Sequence, residues 1–379
     1  MFTLLKNAHV YAPEDLGCQD ILLVGRTIAY MAEKIENLPL AGVEILDVEG
    51  AAVTPGFIDQ HIHITGGGGE GSFKTRVPEI QLSTLTTCGT TTVIGTLGTD
   101  GTCRSMENLL AKARGLEEEG ISTWIYSGAY PAEGPHIMGN LRSDIVLIDK
   151  IIGGKVAMSD HRSSQPHRSQ YAKLAAEARI GGMMSGKAGV LHVHIGDGKR
   201  MLSPIFKIVA KTEIPITQFR PTHLNRNPET FADAIRFGLA GGYLDLTCQI
   251  GIPVAEAVQQ AIAAGVPLEQ ITVSTDGNGS MPRFNEQGEL IGLTAASPAA
   301  LVGEVMGIVR AGILPLSQAL RLITSNVADA LKLEKKGHLA VGMDADLVVL
   351  NKDLAVQTVF AKGQLMVKDG VAVVKGTFE

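Results

Sequence analysis

Thiols, aromatic rings and clustered positive charge are all scarce in this chain. Its 379 residues include four cysteines, and aromatic side chains make up 4%. Cys18, Cys88, Cys103 and Cys248 form no C-x-x-C pair, which argues against a disulfide framework and against a zinc ribbon. The formal net charge is -6, and Lys and Arg are not gathered into a block. Nucleic acid and membrane surfaces are therefore not expected as partners, since both need a concentrated positive field. Apolar runs break well before the ~18 residues that a membrane span requires. Met1 to Pro13 has no basic segment followed by an apolar one, so no secretory leader is expected. Together these absences point to a soluble protein of a reducing compartment, the cytoplasm. A G-x-G-x-x-G turn is missing at the first β/α junction, which counts against an open, doubly wound dinucleotide-binding sheet. No solenoid period and no low-complexity tract is found.

What is present is material for a large core: 45% of residues are hydrophobic and 19% charged. The length suits a large barrel with a smaller companion. Both ends read as short strands rich in branched residues: Phe2–Leu5, Asp20–Val24 and Val43–Val48 at one end, Ala345–Leu350, Val356–Phe360 and Gln364–Val367 at the other. In the middle, apolar strands alternate with helical patterns. Strands are predicted at Val53–His61, Thr91–Gly95, Thr123–Tyr126, Val156–Met158, Gly189–Val193, Ile216–Phe219, Tyr243–Thr247 and Ile271–Thr275. Helices are predicted at Glu79–Cys88, Ser105–Glu119, Gln170–Met184, Ile205–Lys211, Pro228–Gly238, Pro253–Ala264 and Leu316–Leu331. Repeated β-then-α units imply a parallel sheet, and eight strands are the number that closes an α/β barrel of the TIM type, (β/α)8.

Chemistry-bearing residues recur at the ends of these strands, where such barrels build their sites. His61 and His63 are two apart on one strand and so share a face, which lets both ligate one ion. Gly66 to Gly69 and then Glu70 follow directly, and the glycines let backbone approach a ligand. Lys155 opens a strand with no acidic neighbour in sequence. Such a lysine is ordinarily exposed; inside a barrel its neutral amine could take up carbon dioxide and become an anionic, bidentate carbamate. Leu191-His192-Val193-His194-Ile195-Gly196 holds a second H-x-H. Sequence leaves open whether both ligate, and His194 is favoured because it lies nearer the strand's end. His223 falls after the next strand. Asp276 ends another, where an unpaired buried carboxylate would be costly.

This ordered set resembles the amidohydrolase superfamily and, within it, the isoaspartyl (β-aspartyl) dipeptidase family. The resemblance rests also on Gly56-Phe57-Ile58-Asp59-Gln60-His61, the glycine run ending in Glu70, Leu97-Gly98-Thr99-Asp100, Ser127-Gly128-Ala129-Tyr130, Ser159-Asp160-His161-Arg162, Pro221-Thr222-His223-Leu224-Asn225-Arg226 and Asp276-Gly277-Asn278-Gly279-Ser280. Val367-Lys368-Asp369-Gly370 and the final Lys375-Gly376-Thr377-Phe378-Glu379 extend it to the C-terminus. The chain departs from the family pattern at Pro131-Ala132-Glu133-Gly134.

The resemblance implies a small β-sandwich domain built from residues 1-54 and 335-379, flanking a barrel over 55-334. It implies two zinc ions per subunit. One is held by His61, His63 and Asp276, the other by His194 and His223. They are bridged by a hydroxide and by carbamylated Lys155, that is, N6-carboxylysine. Zinc accepts such ligands at ~2.0–2.2 Å. In the implied reaction the bridging hydroxide attacks the β-aspartyl amide of a small dipeptide. Asp276 acts as general base and then acid, and Tyr130 donates to the oxyanion. Glu70 would meet the substrate's amine, and Arg162 and Arg226 its carboxylates. Gly68, Gly69, Thr99 and Ser280 would supply further contacts. A homo-oligomer, suggested to be an octamer, and a role in clearing isoaspartyl peptides are implied as well. The rival readings are another amidohydrolase, either a cyclic amidase of the dihydropyrimidinase type or a deacetylase, and a non-catalytic scaffold. The first has no need of Glu70 with two arginines. The second should have lost ligands, and none is missing.

Overall fold

The computed structural model describes residues 2–36, 41–284 and 290–379. Eight parallel strands carry the middle of the chain: β1 (Phe57–Ile62), β2 (Thr90–Gly95), β3 (Ser122–Gly128), β4 (Ile151–Met158), β5 (Val190–Ile195), β6 (Phe219–Thr222), β7 (Leu244–Thr247) and β8 (Ile271–Ser274). Strands β1 to β6 pair in chain order, and β7 pairs with β8. The curl closes where His63 N donates to Gly277 O at 2.8 Å, beside a parallel bridge between Ile62 and Gly277. On the other side Leu224 N reaches Asp245 O at 3.4 Å. Pro221, in β6, has no amide hydrogen to add to a ladder there. Apart from half-buried Trp124 in β3, the strands are buried from end to end, as expected where helices cover a parallel sheet. The helix Met106–Glu118 shows how that cover forms. Ser105 accepts from Asn108 N at its start, and Met106, Leu109, Ala113 and Leu116 form its buried face.

Strands from both chain ends form one nine-stranded sheet. Phe2–Tyr11 pairs antiparallel with Asp15–Val24 and parallel with Val43–Asp47 and Ala52–Pro55. Ala52–Pro55 then pairs antiparallel with Leu347–Leu350, which joins the two ends of the chain. Side chains alternate along these strands. Leu347, Val349 and Phe360 pack with Leu5, Val10 and Ile21 in the sheet's own core. Val348, Leu350, Val359 and Ala361 join the core of the barrel.

Several predicted elements differ in extent. The stretch Val53–His61 is two strands, not one: the chain breaks at Gly56, passing from the terminal sheet to β1. A Cβ on Gly56 would collide with the Thr91 side chain, so only glycine fits the crossing. Ile216–Gln218 is a 3-10 turn after Pro215, and the strand starts at Phe219. Leu316–Leu331 is two short helices, Leu316–Arg321 and Ser325–Ala330, interrupted where Thr324 leaves helical geometry. Helices Leu141–Leu147 and Ala300–Arg310, and the hairpin of Ser280–Phe284 with Leu290–Ala295, are additional to the sequence reading.

A buried cation fastens the terminal sheet to the barrel. Lys336 is 3% exposed, and its Nζ lies 2.5 Å from Asp346, 2.7 Å from Asp344 and 2.6 Å from Ser122 Oγ on β3. Burial opposes its charge, but the two carboxylates outweigh it and hold the ammonium above its usual pKa. We predict that Asp346→Ala, which leaves this buried cation with the partly exposed Asp344 as its remaining carboxylate, lowers unfolding free energy by about 3–5 kcal/mol in equilibrium urea unfolding. A loss below about 1 kcal/mol would show that Asp344 and Ser122 suffice.

Candidate active site

The carboxyl ends of the barrel strands gather most of the expected ligands. His61 is buried at the end of β1, and its Nε2 lies 3.0 Å from Lys155 Nζ and 3.4 Å from Asp276 Oδ1. His63 Nε2 lies 2.9 Å from the same Asp276 oxygen. His61, His223 and Asp276 offer ligand atoms that all lie within 4.8 Å of one another. His223 follows directly on β6 and Asp276 lies two residues after β8, both with left-handed backbone, at φ 63° and 54°. Non-glycine residues adopt that region at a cost of order 1–3 kcal/mol each, which the surrounding packing must sustain.

The opposite ring nitrogens are held too. Thr247 Oγ1 lies 3.0 Å from His223 Nδ1, while His223 Nε2 is buried and meets no partner among the described residues. His194 Nε2 lies 2.8 Å from Asp160 Oδ2, and its Nδ1 lies 2.9 Å from the Tyr130 hydroxyl. If Nε2 donates to the carboxylate, Nδ1 keeps its lone pair on the side of Tyr130. The His194 ring packs edge-on against His223 at 4.6 Å.

Burial sets the protonation of this cluster. It drives the pKa of His61, His192 and His223 well below 6.5, aided by Lys155 and neighbouring imidazoles, and lowers that of His194 to about 3. Lys155 is 3% exposed, and burial lowers its ammonium pKa to about 7 against the pull of Asp276 and Asp245. Asp276 stays an anion. Burial opposes this, but its contact with His63 and the charge of Lys155 hold its pKa below the usual value.

The rim carries the remaining candidates. Glu70 Oε1 accepts from Thr99 Oγ1 at 2.9 Å and lies 3.4 Å from Arg162 Nη1, and Ser280 Oγ reaches Glu70 Oε2 at 3.4 Å. Gly68, at φ 80°, lies where a Cβ would meet the Thr75 carbonyl. Gly69 and Glu70 follow it, and with Thr99 they line one small pocket. Arg162 lies over the Tyr130 ring at 5.3 Å. Arg226 donates from Nε to Ile195 O at 3.1 Å and lies 3.7 Å from exposed Asp197.

An amidohydrolase family model matches residues 246–366. The structure overlays on the β-aspartyl dipeptidase of Fervidobacterium islandicum AW-1, solved in complex with β-Asp-Leu, with a TM-score of 0.92 and 42% identity. The match covers 98% of this chain and 97% of that one. The chain belongs to the β-aspartyl dipeptidase family of amidohydrolases. A second solved structure, N-acetylglucosamine-6-phosphate deacetylase of Pasteurella multocida, shares the fold at 16% identity and a TM-score of 0.68, over 97% of this chain and 100% of that one. A dihydroorotase of Staphylococcus aureus (strain Mu50) is 43% identical over 67 residues, 18% of this chain and 15% of that protein's length.

Two neighbours of the candidate site escape the sequence reading. Asp160 accepts from Arg162 N, Nε and Nη2 as well as facing His194. It, and not the exposed His161 beside it, orients Arg162. The signal lay in its place between a strand end and Arg162. Asp144 is the other. Buried, it accepts from Ser127 Oγ and from Ile137 N and Met138 N, and so holds the backbone just beyond the divergent residues Pro131 to Gly134.

The depressed imidazoles predict acid lability. Burial disfavours the charged imidazoles of His61, His192, His194 and His223 in the folded chain, while their unfolded counterparts bind protons near 6.5. Buried Asp59 and Asp245 work oppositely, with pKa values raised by burial to about 7 and about 6. With four depressed imidazoles against two raised carboxyls, stability of the metal-free protein should fall as the pH drops below about 6.5. Urea midpoints at pH 6, 5 and 4 measure this, and a flat profile would contradict it.

Proposed function

We propose that this chain is a zinc-dependent β-aspartyl dipeptidase. The observation that carries the reading is a rim of one carboxylate, Glu70, and two guanidiniums, Arg162 and Arg226, over a buried set of neutral imidazoles. A β-aspartyl dipeptide carries one ammonium and two carboxylates near neutral pH. The likeness to an enzyme solved with β-Asp-Leu supports the same assignment.

The donor set fits metal. Neutral imidazoles present lone pairs, Asp276 is ionised, and buried His223 Nε2 has no partner among the described residues. His61, His63 and Asp276 would hold one zinc ion and His194 and His223 a second. Lys155 would bridge them after its neutral amine adds to carbon dioxide and one amine proton leaves to water. When bound, the metals supply Lewis-acid activation of a water and of the scissile carbonyl. Asp276 takes the proton of the attacking water at a carboxylate oxygen and returns it to the departing amine nitrogen. Tyr130 keeps its proton, since burial raises its pKa, and its hydroxyl donates to the developing oxyanion. Glu70 receives the substrate ammonium, and Arg162, oriented by Asp160, receives a carboxylate in a forked contact with Arg226 nearby. Thr99 and Ser280 hold Glu70 in place, and the backbone at Gly68 and Gly69 lines the same wall.

All four cysteines are free, which supports the cytoplasm as its location. Among the described residues no helix is long and apolar enough to cross a membrane.

A cyclic amidase is the second reading, favoured by the local likeness to dihydroorotase. Hydrolysis of β-Asp-Leu, α-Asp-Leu and dihydrouracil, with zinc and bicarbonate supplied, separates the two. Turnover of β-Asp-Leu alone is expected, and turnover of dihydrouracil alone would overturn the roles given to Glu70, Arg162 and Arg226. Glu70→Gln should lower kcat/KM for β-Asp-Leu by at least about 30-fold with metal content unchanged. Metal loss in this variant would place Glu70 in the ligand set instead. Tyr130→Phe should lower kcat about 100-fold, near 3 kcal/mol, and an unchanged kcat would remove the oxyanion contact.

A further inference from the structure

His192 takes no part in the chemistry proposed above, yet it is fully buried in the barrel against the ligand cluster. It is paired in register with Lys155, two residues before His194 on β5. Its Nε2 lies 3.1 Å from Nδ1 of His61. Its ring stacks on that of Tyr126 with centroids 4.6 Å apart and planes 8° from parallel. Tyr126 is itself among the largest fully buried side chains, so the His192 ring is set by packing.

A neutral imidazole carries one ring proton, and the two nitrogens of His61 face different surroundings. Nε2 faces Lys155 Nζ and Asp276 Oδ1. A proton there would leave no lone pair for a metal and would point a donor at the lysine. With the proton on Nδ1, His61 donates to His192 Nε2 and keeps its Nε2 lone pair toward the cluster. We infer that His192 is a positioning residue: its Nε2 accepts the Nδ1–H of His61 and thereby fixes the tautomer and ring orientation in which His61 can ligate. The inference rests on the reading of His61 as a metal ligand. His61, His192 and Asp245 also form a compact group of possible ligands. Asp245, however, is already engaged by Gln60 at 2.7 Å, Ser274 at 2.7 Å and Thr272 at 3.1 Å. An acceptor role for His192 explains the geometry without a further ion. Carboxylates and carbonyls usually hold the far nitrogen of a ligating histidine; here a second imidazole does so.

Two substitutions separate the acceptor from the ring. His192→Phe keeps a ring to stack on Tyr126 and removes the acceptor, whereas His192→Gln keeps an oxygen able to accept and removes the ring. Zinc affinity of the full-length protein is measured by competition with a chelator, and thermal melting of the metal-free variants checks folding. His192→Leu replaces His192→Phe if the latter does not fold. We expect one of two zinc equivalents to weaken by about 10–100-fold in His192→Phe, with His192→Gln staying within about threefold of wild type. Wild-type affinity in His192→Phe would overturn the inference. So would His192→Gln as weak as His192→Phe, because packing would then be the cause. Failure of the wild-type protein to bind zinc would overturn the metal reading itself, an outcome distinct from either.

Discussion

Desolvation of the histidines at the barrel's axis governs what protons the site can hold, and most of its other features follow from that. Water is excluded from His61, His192, His194 and His223, so charging any of them would require a nearby anion or a large shift in pKa. The anions that could serve are committed, Asp245 to Gln60, Ser274 and Thr272. Asp160 is shared between His194 and Arg162, and Asp276 lies against His63 with Lys155 nearby. The cluster is left with neutral imidazoles, an ionised carboxylate and an ammonium poised to lose its proton at about pH 7. That is the protonation state a divalent cation selects. The fold creates it by burial and not by any one contact, so the proposed ligands can come from the ends of many strands.

Asp160 links the two halves of the site. Through Oδ2 it faces His194 Nε2 and accepts from Arg162 Nη2, and through Oδ1 it accepts from Arg162 N and Nε. Arg162 in turn reaches Glu70 and covers the Tyr130 ring, and the Tyr130 hydroxyl returns to His194 Nδ1. This closed circuit joins a proposed ligand, a proposed oxyanion donor and two proposed substrate contacts. A shift of any one by a fraction of an ångström would be felt by the rest, because packed networks of this kind move between discrete arrangements and do not deform smoothly. Beyond Tyr130, Ala132 N donates to Ser164 Oγ, and Asp144 accepts from Ile137 N and Met138 N farther along the same connection.

Much of this was legible in sequence because periodicity and strand ends are local signals. The spacing of His61 and His63 reports a shared face whatever the tertiary context, and alternating strands and helices count out a barrel. The failures were of two kinds. Boundaries depended on contacts between distant segments: the break at Gly56 is imposed by Thr91, and the strand after Pro215 begins late because a 3-10 turn intervenes. The contacts of Asp160 and the role proposed for His192 depend on which atom of a neighbouring ring each one meets. The second H-x-H placed His192 and His194 on one face, but alternation fixes only the face. Depth along the strand decides the rest, and His192 lies one layer down, in register with Lys155.

Charge pairing at the rim bears on which amide the site would prefer. Without a ligand, Glu70 and Arg162 face one another at 3.4 Å, both only partly exposed, and Arg226 leans on a backbone carbonyl and an exposed carboxylate. A partly exposed pair of this sort is worth at most about 1 kcal/mol, so breaking it is inexpensive. A β-aspartyl dipeptide offers Glu70 an ammonium and the guanidiniums two carboxylates, replacing a weak pair with several charge-assisted ones. An uncharged cyclic amide offers nothing in exchange: binding would cover Glu70 and Arg162 and remove water from them without a new partner. On the proposed reading, the same residues that attract the dipeptide disfavour the cyclic amide, so discrimination arises from both sides of the difference in affinity.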